Sequence, residues 1–132
     1  MHRVTQMLEA HPQATPSKAL ARCVAECFGC AQACTSCADA CLAEEDVQGL
    51  IRCIRLSLDC ADICAATGNV VSRQTSFEAE LAGAAVEACA KACRLCAKEC
   101  ERHAGHHEHC RLCAEACRSC EQACEQLLNS LA

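Results

Sequence analysis

The sequence is poor in aromatic residues. Its 132 residues include two Phe and neither Trp nor Tyr, so it offers no aromatic surface on which nucleic-acid bases could stack. The formal net charge of −5 also argues against a basic face for binding phosphates. We therefore expect no nucleic-acid partner.

Long apolar runs are also absent. No stretch approaches the ~18 apolar residues that a membrane-spanning helix needs, and the amino-terminal MHRVTQMLEAHPQATPSKAL has neither the apolar core nor the cleavage site of a secretory signal. The sequence therefore predicts no membrane partner. It also predicts a cytoplasmic location, where thiols stay reduced and structural disulfides are rare.

Cysteine, in contrast, is abundant, with 18 residues. In CVAECFGCAQACTSCADAC, residues 23–41, six cysteines follow one another at alternating intervals of four and three residues. These intervals return a side chain to the same face of an α-helix. A lone cysteine on such a face usually only packs, because a free thiol behaves as a small hydrophobe. Eighteen cysteines on one rhythm indicate a ligand set instead.

Cap and turn residues divide the chain into four long predicted helices. Thr15 and Pro16 resemble an N-cap followed by proline at the first helical position, and that helix is expected to run to about residue 43. The acidic turn at 44–46 leads into the second helix. We expect it to end near Gly68, because glycine suits a left-handed cap.

The third helix is predicted to begin at TSFE, residues 75–78, which matches a capping box, and to end near His103. Gly105 separates it from the fourth, at 106–131. Because the loops are short and no strand pattern appears, we predict an all-α, antiparallel up-down-up-down four-helix bundle with a short N-terminal helix. The expected organisation is a single domain, 1–132, with an arm at 1–14 and the Cys-rich bundle at 16–132.

Each predicted helix carries its cysteines on one face, and the four faces are expected to converge on the bundle axis. Sixteen cysteines form eight pairs spaced i, i+4, whose Cβ atoms lie about 5–6 Å apart on a helix, so that one pair can hold a metal ion. Cys53 and Cys110 remain single, and Ser57 occupies a missing step. The candidate metal ligands are Cys23, Cys27, Cys30, Cys34, Cys37, Cys41, Cys53, Cys60, Cys64, Cys89, Cys93, Cys96, Cys100, Cys110, Cys113, Cys117, Cys120 and Cys124.

Monovalent copper fits this ligand set best. Zinc prefers four tetrahedral ligands, often from Cys-x-x-Cys loops, and about four zinc ions would leave excess negative charge in the core. Iron–sulfur clusters use a Cys-x-x-Cys-x-x-Cys run, which is absent here. Soft thiolates suit Cu(I), and one Cu(I) per thiolate would neutralise the buried charge. The sequence therefore predicts multiple Cu(I) ions, roughly one per cysteine.

The metal-free chain is expected to be an already helical bundle. Its thiols are expected to be neutral, because burial raises their pKa. A thiol redox buffer remains an alternative, although thiols along one regular helix match disulfide geometry poorly. A thioredoxin-like catalyst needs Cys-x-x-Cys at a strand-to-helix junction, whereas Cys27 and Cys30 lie in the middle of a predicted helix.

Histidines cluster at one predicted end of the bundle, which we call the mouth. The turn at 44–46 and the segment ERHAGHHEHC, residues 101–110, share this end. Imidazole binds copper and is neutral near pH 7, so we predict a copper entrance here. Its candidate ligands are His103, His106, His107 and His109, whereas His2 and His11 are expected to be solvated.

The opposite end is predicted to be closed by an apolar plug, made of Leu20, Val70, Val71, Phe77, Leu81, Leu127, Leu128 and Leu131. Phe28 is expected to pack within the chain rather than at an interface. Whether Asp59, Asp62 or the acidic turn binds metal stays open at this point, with solvated surface as the preferred interpretation.

Repeated Cys-x-x-x-Cys on all four helices, as in CVAEC, CADIC, CAKAC and CEQAC, covers the chain from residue 23 to 124. In these motifs the sequence resembles the bacterial copper storage proteins, specifically their cytosolic branch. The resemblance implies a four-helix bundle that binds many Cu(I) ions along its core and assembles as a homotetramer. The exported branch carries a signal segment and methionines at the mouth, neither of which appears here.

These observations predict a cytosolic protein that stores or sequesters copper and has no enzymatic activity. The alternative is a buffer or chaperone that hands Cu(I) to enzymes. A chaperone normally needs one or two exposed sites, whereas eighteen buried ones favour holding copper. A thiol redox buffer is the less favoured alternative.

Overall fold

The computed structural model describes residues 2–131; Met1 and Ala132 of the predicted domain lie outside them. The described residues contain helices and no strand, which confirms the predicted all-α class. The elements are α1 (His2–Glu9), α2 (Lys18–Leu42), a 3-10 helix (Val47–Leu50), α3 (Ile51–Ser72), α4 (Ala79–His103) and α5 (Glu108–Leu131).

The four long helices form the predicted bundle. α2 packs against α3 and α5, and α4 packs against the same two helices, so the four enclose a common axis. Short turns join α2 to α3 and α4 to α5, which makes sequential helices antiparallel neighbours. The short α1 packs on α2, outside the ring. Among residues 2–131, no helix combines the length and apolarity needed to cross a membrane.

The N-caps of α2 and α4 differ from those that the sequence predicts. The N-cap of α2 is Ser17, whose hydroxyl accepts a hydrogen bond from the Leu20 N–H at 3.1 Å, so the cap predicted at Thr15 was wrong. The capping box predicted at 75–78 was also wrong, because Ser76 has a left-handed φ of 55°. Glu78 caps α4 instead, accepting from the Glu80 N–H at 3.2 Å.

Gly68 does not end α3, which continues to Ser72. Instead, Gly68 lies inside the helix where the ring of Phe28 on α2 packs against it. A Cβ at position 68 would lie 2.9 Å from Cζ of that ring. The glycine therefore serves close packing between two helices rather than a turn. α5 begins at Glu108, two residues beyond the predicted start, because residues 104–107 form the turn from α4.

The end of the bundle opposite the mouth is apolar, and α1 contributes to it through buried Leu8. Leu81 was wrongly assigned to the plug, since 62% of its side chain is exposed. His11, expected to be solvated, is partly buried, and its Nε2 lies 3.2 Å from Thr75 Oγ1, whereas His2 is exposed. The remaining plug residues are buried or partly buried: Leu20, Val70, Val71, Phe77, Leu127, Leu128 and Leu131.

Candidate metal centre

All eighteen cysteines point into the bundle. Each carries a free thiol, and none is more than 1% exposed. This burial follows from the three-and-four spacing, which places every cysteine of a helix on the face that packs against its neighbours. Sulfur therefore lines the bundle axis between the mouth and the apolar end.

The shortest sulfur–sulfur distances join different helices. Cys34 and Cys117 lie 3.6 Å apart, and Cys64 Sγ lies 3.6 Å from both Cys89 and Cys93. Pairs spaced i, i+4 within one helix are slightly longer, at 3.8–4.0 Å. Spacing along the chain identified the pairs within helices, but it could not reveal these contacts across the bundle.

Groups of four thiols draw on several helices and share members. Within such a group every sulfur lies within 4.8 Å of the others. Because one cysteine belongs to two groups, the groups form a connected series rather than separate sites. The series includes Cys27, Cys89, Cys120 and Cys124; Cys30, Cys64, Cys93 and Cys120; Cys30, Cys34, Cys60 and Cys117; and Cys34, Cys96, Cys113 and Cys117.

The hydroxyl of Ser57 interrupts the sulfur lining. Ser57 is fully buried, and its Oγ lies 3.7 Å from Cys96 Sγ and 4.0 Å from Cys100 Sγ. It occupies the position on α3 where the rhythm predicts a cysteine. A neutral hydroxyl is a much poorer ligand for a soft metal than a thiolate.

Near the mouth, the thiols differ in acidity. Burial raises the pKa of Cys41 and of Cys110, because a thiolate loses its hydration in the core. A hydrogen bond from Cys100, assisted by Cys53 and His109, lowers the pKa of Cys37 to about 6. Cys37 is therefore the thiol at the mouth that loses its proton most readily.

His109 is the mouth histidine that contacts thiols. Its Nδ1 lies 3.5 Å from Cys37 Sγ and 3.6 Å from Cys110 Sγ, and with Cys41 these residues form a mixed sulfur–nitrogen group. Its Nε2 lies 2.8 Å from Glu44. Burial disfavours protonation of His109, but its bonds to Cys37 and Glu44 outweigh burial and raise its pKa.

His107 contacts two carboxylates. Its Nδ1 lies 2.8 Å from Glu44, and its Nε2 lies 3.0 Å from Asp46. The hydrogen bond with Asp46 raises the pKa of His107. Its ring stacks on that of His109, with the ring centres 5.4 Å apart.

The other two mouth histidines have different surroundings. His103 Nε2 lies 2.9 Å from Glu99, a carboxylate that is only 6% exposed and also pairs with Arg52 and Arg102. His106 is exposed. Glu44 and Glu99 were not predicted as partners of the histidines. The i, i+4 spacing of Glu99 and His103 was the one available signal for this contact.

Comparison with known proteins identifies the family. A family model described as "Csp: Copper storage protein" matches residues 16–129. The chain belongs to the copper storage protein family. No curated protein shows significant sequence similarity to it. The resemblance of its Cys-x-x-x-Cys helices to this family is thereby confirmed.

Several solved copper storage proteins are similar to the chain. Ccsp from Streptomyces lividans, loaded with 10 copper equivalents, is 54% identical, with 96% of this chain and 98% of that chain covered and a TM-score of 0.92. A cytosolic copper storage protein from the same organism, with five coppers, is 60% identical over 85% of this chain and 93% of that chain, with a TM-score of 0.84. The Cu(I)-bound copper storage protein BsCsp3 is 36% identical over 80% and 94%, with a TM-score of 0.72.

Family membership and the sulfur-lined core agree on function. This copper storage protein has the ligand type that copper(I) prefers, arranged as many adjoining sites rather than one. Two sulfurs 3.6–4.0 Å apart can bind one ion between them at metal–sulfur distances near ~2.3 Å. The predicted function in copper storage is confirmed.

Proposed function

We propose that this chain stores roughly one Cu(I) per thiolate along its axis, and that the ions enter at the mouth beside His109. The observation that carries the proposal is the connected series of eighteen buried thiols. The proposed ligands are the eighteen cysteines and His109 Nδ1, which faces Cys37 and Cys110. Direct ligand roles for His103, His106 and His107 stay predictions.

Charge balance favours Cu(I) over zinc as the stored ion. Groups of four thiols suit zinc geometrically, but adjoining groups share cysteines, so neighbouring groups cannot all be filled independently. Four Zn²⁺ would bind at most sixteen of the eighteen thiols and offset eight of the sixteen thiolate charges, leaving eight uncompensated. Buried uncompensated charge is too costly for a stable core. One Cu(I) for each thiolate leaves no buried charge uncompensated.

Burial of the thiols favours storage of copper over its transfer to a partner protein. A protein that transfers copper must present its ligands to the recipient, whereas no thiol of this chain is more than 1% exposed. A disulfide store is disfavoured because pairs spaced i, i+4 on one helix do not match disulfide geometry. We therefore propose a store without catalytic activity.

Location and assembly are also proposed by similarity. One similar protein is a cytosolic copper storage protein, and we propose that this chain acts in the cytosol as well. The homotetramer implied by the family resemblance stays a prediction. Light scattering of the purified protein at several concentrations tests it, and a monomer mass throughout would contradict it.

Titration of the fully reduced protein with Cu(I), against a chelator of known affinity, tests the storage proposal. We expect an end point near one copper per thiol, about eighteen per chain. Saturation at one or two equivalents would support a chaperone instead. Weak binding with reversible oxidation of the thiols would support a redox buffer. A parallel Zn(II) titration serves as the control and should saturate far earlier.

A further inference from the structure

We propose that Glu44 is a positioning residue that presents Nδ1 of His109 to incoming Cu(I). This inference rests on the proposed function, in which His109 binds copper at the mouth. Glu44 lies in the turn between α2 and the 3-10 helix, and its carboxylate lies 2.8 Å from His109 Nε2. The opposite ring nitrogen, Nδ1, is the one that faces the thiols of Cys37 and Cys110.

Hydrogen-bond chemistry assigns the tautomer of His109. A carboxylate only accepts hydrogen bonds, so the ring nitrogen that faces Glu44 must carry a proton. In a neutral imidazole the other nitrogen then keeps its lone pair. Glu44 therefore places the proton of His109 on the outer side of the ring, and it leaves the metal-binding lone pair directed at Cys37 and Cys110.

The same carboxylate gives His107 a different role. Both ring nitrogens of His107 face carboxylates, Nδ1 toward Glu44 and Nε2 toward Asp46. No nitrogen of His107 is thus directed at a thiol. Instead its ring stacks on His109 and its Nδ1 shares the Glu44 oxygen that His109 also uses. His107 thereby helps to hold Glu44 and the His109 ring in place.

Glu44 is itself fixed to the thiol core. Its backbone N–H donates a hydrogen bond to the carbonyl of Cys41 at 3.2 Å. This bond ties Glu44, which follows the end of α2 in the chain, to a candidate copper ligand. The side chain is about one-third exposed (31%), which leaves it within reach of ions arriving from solvent. Groups that orient a metal-binding histidine in this way typically change metal affinity or activity 10–100-fold when removed.

Imidazole ¹⁵N NMR of the metal-free protein tests the positioning directly. At a pH where the imidazole of His109 is neutral, we expect wild-type His109 to carry its proton on Nε2 alone. In Glu44→Ala the signals should show a mixture of the two tautomers, whereas Glu44→Gln, whose amide oxygen still accepts, should restore the single tautomer. Glu45→Ala is the matched control, because Glu45 is the adjacent acidic residue and is exposed. Should Glu44→Ala lose helicity, Glu44→Asp replaces it, since its shorter side chain withdraws the carboxylate from His109.

Copper uptake provides the second measurement. With Cu(I) supplied from a chelator complex, Glu44→Ala should load about tenfold more slowly, Glu44→Gln should recover most of the rate, and Glu45→Ala should match the wild type. Wild-type ¹⁵N signals and a wild-type rate in Glu44→Ala would overturn the inference. Equal slowing in Glu45→Ala would overturn it as well, because slower loading would then reflect the loss of negative charge at the mouth rather than the position of the His109 ring.

His109→Ala separates this inference from the proposed function. If His109→Ala loads copper at the wild-type rate, the ligand role of His109 is wrong and the positioning role fails with it. If His109→Ala loads slowly while Glu44→Ala behaves as wild type, only the positioning role is wrong. Slow loading in both variants, with mixed tautomers in Glu44→Ala, supports both.

Discussion

The ring of Phe28 on α2 rests directly on Gly68 of α3. A Cβ at position 68 would approach the ring carbons Cζ, Cε1 and Cε2 to 2.9–3.1 Å, closer than packed carbon atoms normally lie. Gly68 itself is buried inside the helix. This contact limits how closely α2 and α3 can approach each other.

Gly68→Ala is expected to destabilise the bundle even though alanine is the better helix former. Overpacking against Phe28 should lower the free energy of unfolding by about 1–3 kcal/mol. Gly29→Ala is the matched control, because a Cβ at Gly29 meets nothing within 4 Å, and it should stabilise α2 by about 0.5–1 kcal/mol. Chemical denaturation of the metal-free variants measures both. Equal effects of the two substitutions would contradict the packing account.

The metal-free protein is expected to be folded before copper binds. Buried Leu50, Val24 and Leu127 pack with the thiols, and a free thiol contributes to a core as a small hydrophobe. The far-UV circular dichroism spectrum of the reduced, copper-free chain should therefore be strongly helical, with little further change on loading. A random-coil spectrum that becomes helical only with Cu(I) would show that metal drives folding.

Copper loading near neutral pH is expected to release about one proton per ion at the thiols whose pKa burial raises, and less at Cys37, whose pKa lies at about 6. Burial raises the pKa of thiols such as Cys41 and Cys110, so they enter the reaction as S–H. Because each binding thiol must lose its proton, apparent affinity should rise with pH, by up to tenfold per unit for each thiol that remains protonated. Uptake monitored with a pH indicator in weak buffer counts the protons. Loading without proton release would mean that the empty core already holds thiolates.

Replacing Ser57 with cysteine is expected to raise the copper capacity by about one ion. Its Oγ lies between Cys96 and Cys100 at 3.7 and 4.0 Å, so a thiol there would join the existing series. Ser36→Cys is the control, because Ser36 is exposed and its hydroxyl contacts Gln32 rather than a thiol. Chelator-competed Cu(I) titration compares the end points. An unchanged end point for Ser57→Cys, or an equal gain in both variants, would contradict the charge-balance estimate of capacity.

The bundle and its sulfur lining could be predicted because both depend on residue spacing along single helices. The three-and-four rhythm fixes which face each cysteine occupies, and burial of that face follows. Predictions of the helix ends were less accurate, because several nearby residues can act as the N-cap. Ser17 caps α2 instead of Thr15, and Glu78 caps α4 instead of Thr75. The left-handed backbone at Ser76, which no sequence pattern indicated, decided the second case.

Contacts between helices could not be predicted from the sequence. The distance from Cys34 to Cys117 depends on how α2 and α5 pack. The position of one helix along the other cannot be inferred from a local sequence pattern. The same holds for the histidines. Their positions near the mouth were evident, but only the structure shows that His109 faces the thiols while His103 faces Glu99.

Anomalous X-ray scattering from a crystal of the protein loaded with Cu(I) tests the central claim most directly. We expect a line of copper peaks along the bundle axis, each bonded to cysteine sulfurs from neighbouring helices, with a count near that of the thiols. An empty axis, or copper confined to surface histidines and carboxylates, would contradict it.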